Sequence, residues 1–215
     1  MERLTRLANK YKTDKGTEFE DAHGYTEFYQ QFFEKYENPK IIEVGVWHGG
    51  SIRMLNDFFD GECEIWALDY DTSLKQYVED IPNVHFVCVD ASDKNSIKEF
   101  KDSMGGTEFD IIIDDASHIW RHQMNLIYGL HGLLKENGIY VIEDIHFSRL
   151  FSDPENSPLF FINFLMPNVM LTEEENKELI DKIKDVQIFS RKNHAFEMDE
   201  NWGGRSMTSV ITFEK

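Results

Sequence analysis

The stretch IIIDDASHIW (Ile111 to Trp120) ends an apolar run in two carboxylates and an imidazole: Asp114, Asp115 and His118. Farther along, GIYVIEDI ends another apolar run in Glu143 and Asp144. Neighbouring strand ends of a parallel sheet lie side by side, so these acids would meet in one small volume. Like charges a few ångströms apart in a partly dry site repel strongly, and a divalent cation removes that penalty. Hard oxygen ligands favour Mg2+ or Ca2+, and Mn2+ is also accommodated. The competing reading is that one or two of the acids cap helices or pair with Arg121 or Arg149. His118 lies three residues past Asp115, an offset that turns it to the same crevice, where a neutral imidazole can take a proton from a hydroxyl. Its alternative is a capping or ligand-supporting histidine. His118 and His122 stand i, i+4, but HIWRH lacks the Glu of HExxH, which argues against zinc. His146, just past Asp144, is read as supporting the ligands from outside.

A second group of residues points to a nucleoside. EVGVWHGGS (Glu43 to Ser51) carries Gly45, Gly49 and Gly50 in a turn that lets backbone approach a ligand closely. The spacing is neither GxGxxG nor a GK[ST] phosphate loop, so a nicotinamide cofactor is not favoured. The next apolar run ends in Asp69, with Asp71 just after it, and an acid about twenty residues past such glycines accepts hydrogen bonds from a ribose diol. A third run ends in Asp90-Ala91-Ser92, where an adenine amino group would fall. Any single acid could be a helix N-cap, as Asp93 is read to be. One at each of three successive strand ends, beside the glycines, favours a nucleoside. Glu43 and Ser51 are assigned to the same site.

The elements that must position these residues follow from hydrophobic periodicity. KIIEVGV (40–46), EIWALDY (64–70), VHFVCVD (84–90), FDIIIDD (109–115) and GIYVIEDI (138–145) read as strands. GSIRMLNDFF, SLKQYVED, DKNSIKEFKDSM and a segment from about Ile119 to Leu134 read as helices between them. Near-continuous Val/Ile runs separated by helices signal a parallel sheet covered on both faces, with right-handed crossovers. VQIFSRKNHAFEM and SMTSVITFEK, joined by ENWGGR, read as a closing antiparallel hairpin. The expected fold is α/β: a Rossmann-like, doubly wound, seven-stranded sheet, mostly parallel with a C-terminal antiparallel hairpin. Residues 1–215 form one domain. Within it, 1–36 are an N-terminal helical entry segment, in which GYTEFYQQFFEKY is an aromatic amphipathic helix. Residues 147–184 are an insertion after the fifth strand. The first half of that insertion is a lid or a dimerisation surface; the second is a helix with Thr172 as N-cap and Glu175 completing a capping box.

Composition narrows the partners. With 22 Lys and Arg against 40 Asp and Glu, the formal net charge is −18. That excludes a phosphate-backbone partner and supplies no polybasic membrane anchor. No apolar run nears the ~20 residues of a membrane helix, and the N-terminus has no secretion signal. Cys63 and Cys88 form no CxxC and read as buried free thiols of a reducing, cytoplasmic compartment. A homo-oligomer remains open.

Together EVGVWHGGS, IDDASH and VIEDI resemble the class I S-adenosylmethionine-dependent methyltransferases that act on sugar hydroxyls, of the macrocin and mycinamicin type. YKTDKG (11–16) and HGYTEFY (23–29) are similar to the TDK…HGY entry region of that group. The resemblance spans residues ~11–146. It implies S-adenosylmethionine held by Glu43, Gly45, Gly49, Ser51, Asp69, Asp90 and Ser92, with Thr13 and Lys15 closing over it. It implies Mg2+ (or Mn2+ or Ca2+) on Asp115, Glu143 and Asp144, a general base at His118, and a saccharide or glycosylated small molecule as acceptor. Family members usually carry Gly where this chain has Ala116, which would strain the loop if that position needs positive φ. Some members also have an additional N-terminal domain. A catechol-type enzyme uses a similar metal corner with Asn as one ligand, which Glu143-Asp144 fits less well. That class of small-diol methyltransferase, and a non-catalytic cofactor-binding subunit, are the alternatives.

Overall fold

The computed structural model describes residues 1–18, 22–145, 173–192 and 205–214. Strands β1 (Lys40–Val44), β2 (Glu64–Asp69), β3 (Val84–Cys88), β4 (Phe109–Asp114), β5 (Leu134–Ile142), β6 (Ile183–Lys192) and β7 (Arg205–Phe213) form one seven-stranded sheet. Their order is β3-β2-β1-β4-β5-β7-β6. The first five are parallel, and β7 runs antiparallel between β5 and β6. The chain reverses its direction of winding between β1 and β4, and ligands of open α/β sheets bind in the crevice at that switch point, beyond the carboxyl ends of the strands.

The strands are apolar on both sides because both faces are covered. Ile41, Ile65, Ile111 and Ile139 pack on one face against α1 (Arg3–Tyr11), α2 (Thr26–Phe33) and α3 (Gly50–Phe58). Their chain neighbours Ile42, Ile112 and Tyr140, with Leu68, pack on the other against α4 (Lys94–Ser103) and α5 (Trp120–Leu130). This is the two-residue alternation of a pleated strand. Each fully buried aliphatic side chain contributes roughly 1.5–3 kcal/mol of transfer free energy, so polar chemistry is confined to where the strands end.

The expected sheet is found, with shifts at element ends. α1 lies within the expected helical entry segment but carries little periodicity of its own: its short polar sequence buries only Leu4, Thr5 and Ala8. SLKQYVED forms a 3-10 turn (Thr72–Tyr77) rather than an α-helix, capped by Asp71, whose carboxylate accepts from Ser73 N at 2.9 Å. Asp93 caps α4 as expected, accepting from Asn95 N at 2.9 Å. The helix before β5 stops at Leu130, so β5 begins at Leu134 rather than at Gly138, and its register against β4 shifts between Phe109 and Ile111. α6 (Glu173–Lys182) ends before Val186, because Ile183 already pairs with Phe213 in the sheet. Residues 147–172, which include the expected lid and Thr172, lie outside the described residues, as do His146 and 200–204 of the hairpin turn. Among the described residues, no helix is long and apolar enough to cross a membrane.

Candidate active site

The backbone at the switch point is tightly fitted. Gly45 lies at φ +102°, and a Cβ there would stand 2.1 Å from the Asp115 carbonyl oxygen. Asp115 N in turn donates to Val44 O at 2.9 Å, so the loop after β4 rests directly on the loop after β1. Glu143 N donates to Asp114 O at 2.9 Å, and Gln123 Nε2 of α5 donates to Glu143 O at 2.9 Å. Three described non-glycine residues here adopt left-handed backbone: Trp47 at φ +43°, His118 at φ +55° and Asp144 at φ +52°. Such conformations cost of order 1–3 kcal/mol each and cluster at functional sites. Ala116 is not among the positive-φ residues, so the strain expected there is absent.

The carboxylates do converge, and they converge around a lysine. Lys15, 1% exposed, donates from Nζ to Asp115 Oδ2 and to Glu143 Oε2, the latter at 2.9 Å, and stands 3.7 Å from Glu43 Oε1. Burial works against the ammonium, but the pull of Asp115, Glu143 and Glu43 outweighs it and holds the Lys15 pKa well above its usual value. Burial pushes Asp115 and Glu143 up despite the pull of Lys15, and raises Glu43 to about 7. Asp114 is fully buried, accepts from Ala116 N at 3.4 Å, and is raised to about 7 by that burial. It is not part of this cluster of side chains.

A second grouping adjoins the first. One ligand atom each from Asp115, His118 and Asp144 lie within 4.8 Å of one another. His118 Nε2 is 3.4 Å from Asp144 Oδ2. Asp144 Oδ1 accepts from Tyr25 Oη at 2.5 Å and lies 3.8 Å from His23 Nδ1, and the His23 and Tyr25 rings stack at 5.0 Å. Two carboxylates and an imidazole form a donor set that suits a hard or borderline divalent ion. Glu143 completes it in chemistry, since its Oε1 is buried without a hydrogen-bond partner, but in this arrangement Oε2 is turned to Lys15.

A cavity of about 1000 Å3 opens above the switch point. Thr13, Lys15, Gly45, Ser51, Asp69, Asp90, Ser92, Asp115 and His118 line it, together with Trp47, Tyr70 and His122. Glu43, Gly49, Glu143 and Asp144 are not on its wall. Asp69 accepts from Val46 N at 2.9 Å and from Asp71 N at 3.0 Å, so it also ties the β1 loop to the end of β2. Asp90 accepts from Ser92 N at 2.8 Å and Ser92 Oγ at 2.7 Å. Tyr25, His23 and the buried position of Lys15 were not foreseen. The HGY and TDK segments were the available signals, but nothing in their spacing shows that they reach the ends of β4 and β5.

No protein-family model matches the chain. Its sequence is 32% identical over 151 residues to demethylmacrocin O-methyltransferase of Streptomyces fradiae, covering 66% of this chain and 36% of that one. It has the same identity, over the same length and the same shares of each chain, to mycinamicin VI 2''-O-methyltransferase of Micromonospora griseorubida. Both relatives are O-methyltransferases. The chain spans little more than a third of their length, 36% in each case. The fold agrees with that of MycE methyltransferase from the mycinamycin biosynthetic pathway, solved in complex with Mg, SAH and mycinamycin VI. The TM-score is 0.75 at 23% identity, over 100% of this chain and 55% of that one. The Rossmann-like, doubly wound architecture expected from the strand pattern is therefore the one observed, and MycE shares it.

Proposed function

We propose that this chain is an S-adenosylmethionine-dependent, divalent-metal-dependent O-methyltransferase acting on a sugar hydroxyl of a glycosylated natural product or saccharide. The observation that carries this reading is the convergence of Asp115, His118 and Asp144 within 4.8 Å beside a switch-point cavity of about 1000 Å3. Its O-methyltransferase relatives supply the reaction class.

Asp69 takes the ribose, since each carboxylate oxygen accepts more than the one backbone bond it already has. Asp90 and Ser92 flank the base. Gly45 shapes the floor with Ser51 and Thr13 beside it, and Gly49, behind the wall, lets the loop turn into α3 at φ +70°. Glu43 and Lys15 act from below, through the charge cluster. S-adenosylmethionine supplies an electrophilic sulfonium methyl when bound. Asp115, Glu143 and Asp144 would hold Mg2+ (or Mn2+ or Ca2+), which lowers a hydroxyl pKa and orients a diol. His118 removes the hydroxyl proton. A proton taken up at Nε2 is stabilised by Asp144 Oδ2 at 3.4 Å, and Tyr25 fixes the other oxygen of that carboxylate. Holding acceptor and cofactor in one cavity removes the entropy of their encounter. Both thiols are free, which supports a cytoplasmic setting, although only Cys63 is buried as expected: Cys88, at the end of the outermost parallel strand β3, is exposed.

A second arrangement of donors is favoured by the same distances: His118 in place of Glu143. His118→Ala separates the two. As a base, its loss abolishes methyl transfer from labelled S-adenosylmethionine to a glycosylated macrolide while cofactor and Mg2+ affinities stay near those of the wild type. As a ligand, its loss weakens Mg2+ binding as well. EDTA should stop the reaction and Mg2+ restore it; turnover that persists under chelator sinks the metal reading. Transfer to catechols alone would favour the small-diol enzyme, and cofactor binding without transfer to any acceptor would favour a non-catalytic subunit.

A further inference from the structure

Lys15 places one ammonium among three carboxylates in the interior. Removing an ammonium from water is strongly unfavourable, so only the surplus of negative charge keeps it there. A divalent cation draws on that same surplus. Asp115 Oδ2 and Glu143 Oε2 are both engaged by Lys15 Nζ, whereas Asp144 is held separately by Tyr25. Two of the three acids that would hold an ion are therefore already committed to an internal cation. We propose that Lys15 is a built-in counter-cation that competes with the divalent ion for Asp115 and Glu143, so that metal loading displaces its ammonium. This deepens the metal-dependent reading above and rests on it.

The surroundings give the displaced ammonium somewhere to go. Glu43 Oε1, 3.7 Å away, is a carboxylate that the ion does not need. The lysine backbone stays fixed, because Lys15 O accepts from Thr26 N and Thr26 Oγ1, both at 3.1 Å. The exchange is thus a side-chain rotation. With the ion bound, the cluster gains charge: two positive units from the ion and one from Lys15 face Glu43, Asp115, Glu143 and Asp144. Without the ion, Lys15 prevents the bare carboxylates from driving the ends of β1, β4 and β5 apart. On this account metal affinity is set below what the carboxylates alone would give.

The test measures metal binding rather than turnover. Lys15→Met and Lys15→Gln are made in the full chain, Mg2+ binding is followed by titration calorimetry, and melting is followed with and without Mg2+. Both variants should melt lower than the wild type when metal-free. They should bind Mg2+ roughly tenfold or more tightly, as removal of a like charge a few ångströms from the ion requires, and should show a larger rise in Tm on adding it. A purely structural lysine would lower the melting temperature without tightening the metal, and equal or weaker Mg2+ binding overturns the proposal. If the Met variant fails to fold, the Gln variant, which can still hydrogen-bond both acids, decides the question by the same criterion. Absence of Mg2+ binding in the wild type and both variants would instead remove the metal site itself, and the competition with it.

Discussion

Strand β4 carries a lysine–aspartate pairing at each end, and the two are built differently. At the amino end Lys135 Nζ reaches both oxygens of Asp110, at 3.0 and 2.8 Å, and Lys40 N donates to Oδ2 at 2.8 Å. One ammonium meets one carboxylate, and the Lys135 side chain is 40% exposed. This neutral pair bridges the strands where the β4–β5 register shifts. At the carboxyl end a single ammonium, 1% exposed, faces Asp115, Glu143 and Glu43. The first arrangement satisfies its charges and holds an edge. The second leaves negative charge over on the wall of the cavity, and such an imbalance marks a site made to bind something.

The contrast can be broken or sharpened by substitution. Gly45→Ala should have the largest effect. It forces a Cβ to 2.1 Å from the Asp115 carbonyl at a φ of +102°, and should cost about 3 kcal/mol or more in urea unfolding. Near-wild-type stability would mean that the functional end is not close-packed. Tyr25→Phe removes the donor to Asp144 and should lower turnover by about tenfold, with about 1 kcal/mol of stability lost. Unchanged turnover would detach Tyr25 from the site. Lys135→Ala should be mildest: under about 1 kcal/mol in Tm-derived stability and no change in turnover. A loss matching that of Lys15→Met would erase the distinction between the two ends.

Much of this was legible in the sequence because it depends on local pattern. The Val/Ile runs at Ile41–Val44 and Ile111–Ile113 had to be central strands, since only burial on both faces tolerates them. Asp115 stands two residues past one such run and Glu143 directly after another, so adjacent strands bring them together, and a shared hydrogen-bond donor between them is what the structure shows. Lys15 lines the cavity as the motif implies, but its burial among carboxylates is not legible in the sequence. Its position depends on pairing across 100 and 128 residues of chain, and no periodicity encodes that. For Asp69 the sequence points only to a ribose acceptor; it does not reveal that both oxygens also take backbone amides. The early start of β5 escaped notice because Lys135, Glu136 and Asn137 look like a turn; the β4–β5 register shift and the tie from Lys135 to Asp110 accommodate them within a strand.

The reach of Lys15 has a consequence for biosynthesis. A ribosome delivers this residue well before Asp115 and Glu143 emerge, so its partners do not exist during most of translation. The charge-rich corner can be neutralised from within only after β5 has joined the sheet and the N-terminal segment has docked across it. The corner therefore reaches its paired state only once the chain through Glu143 has been made.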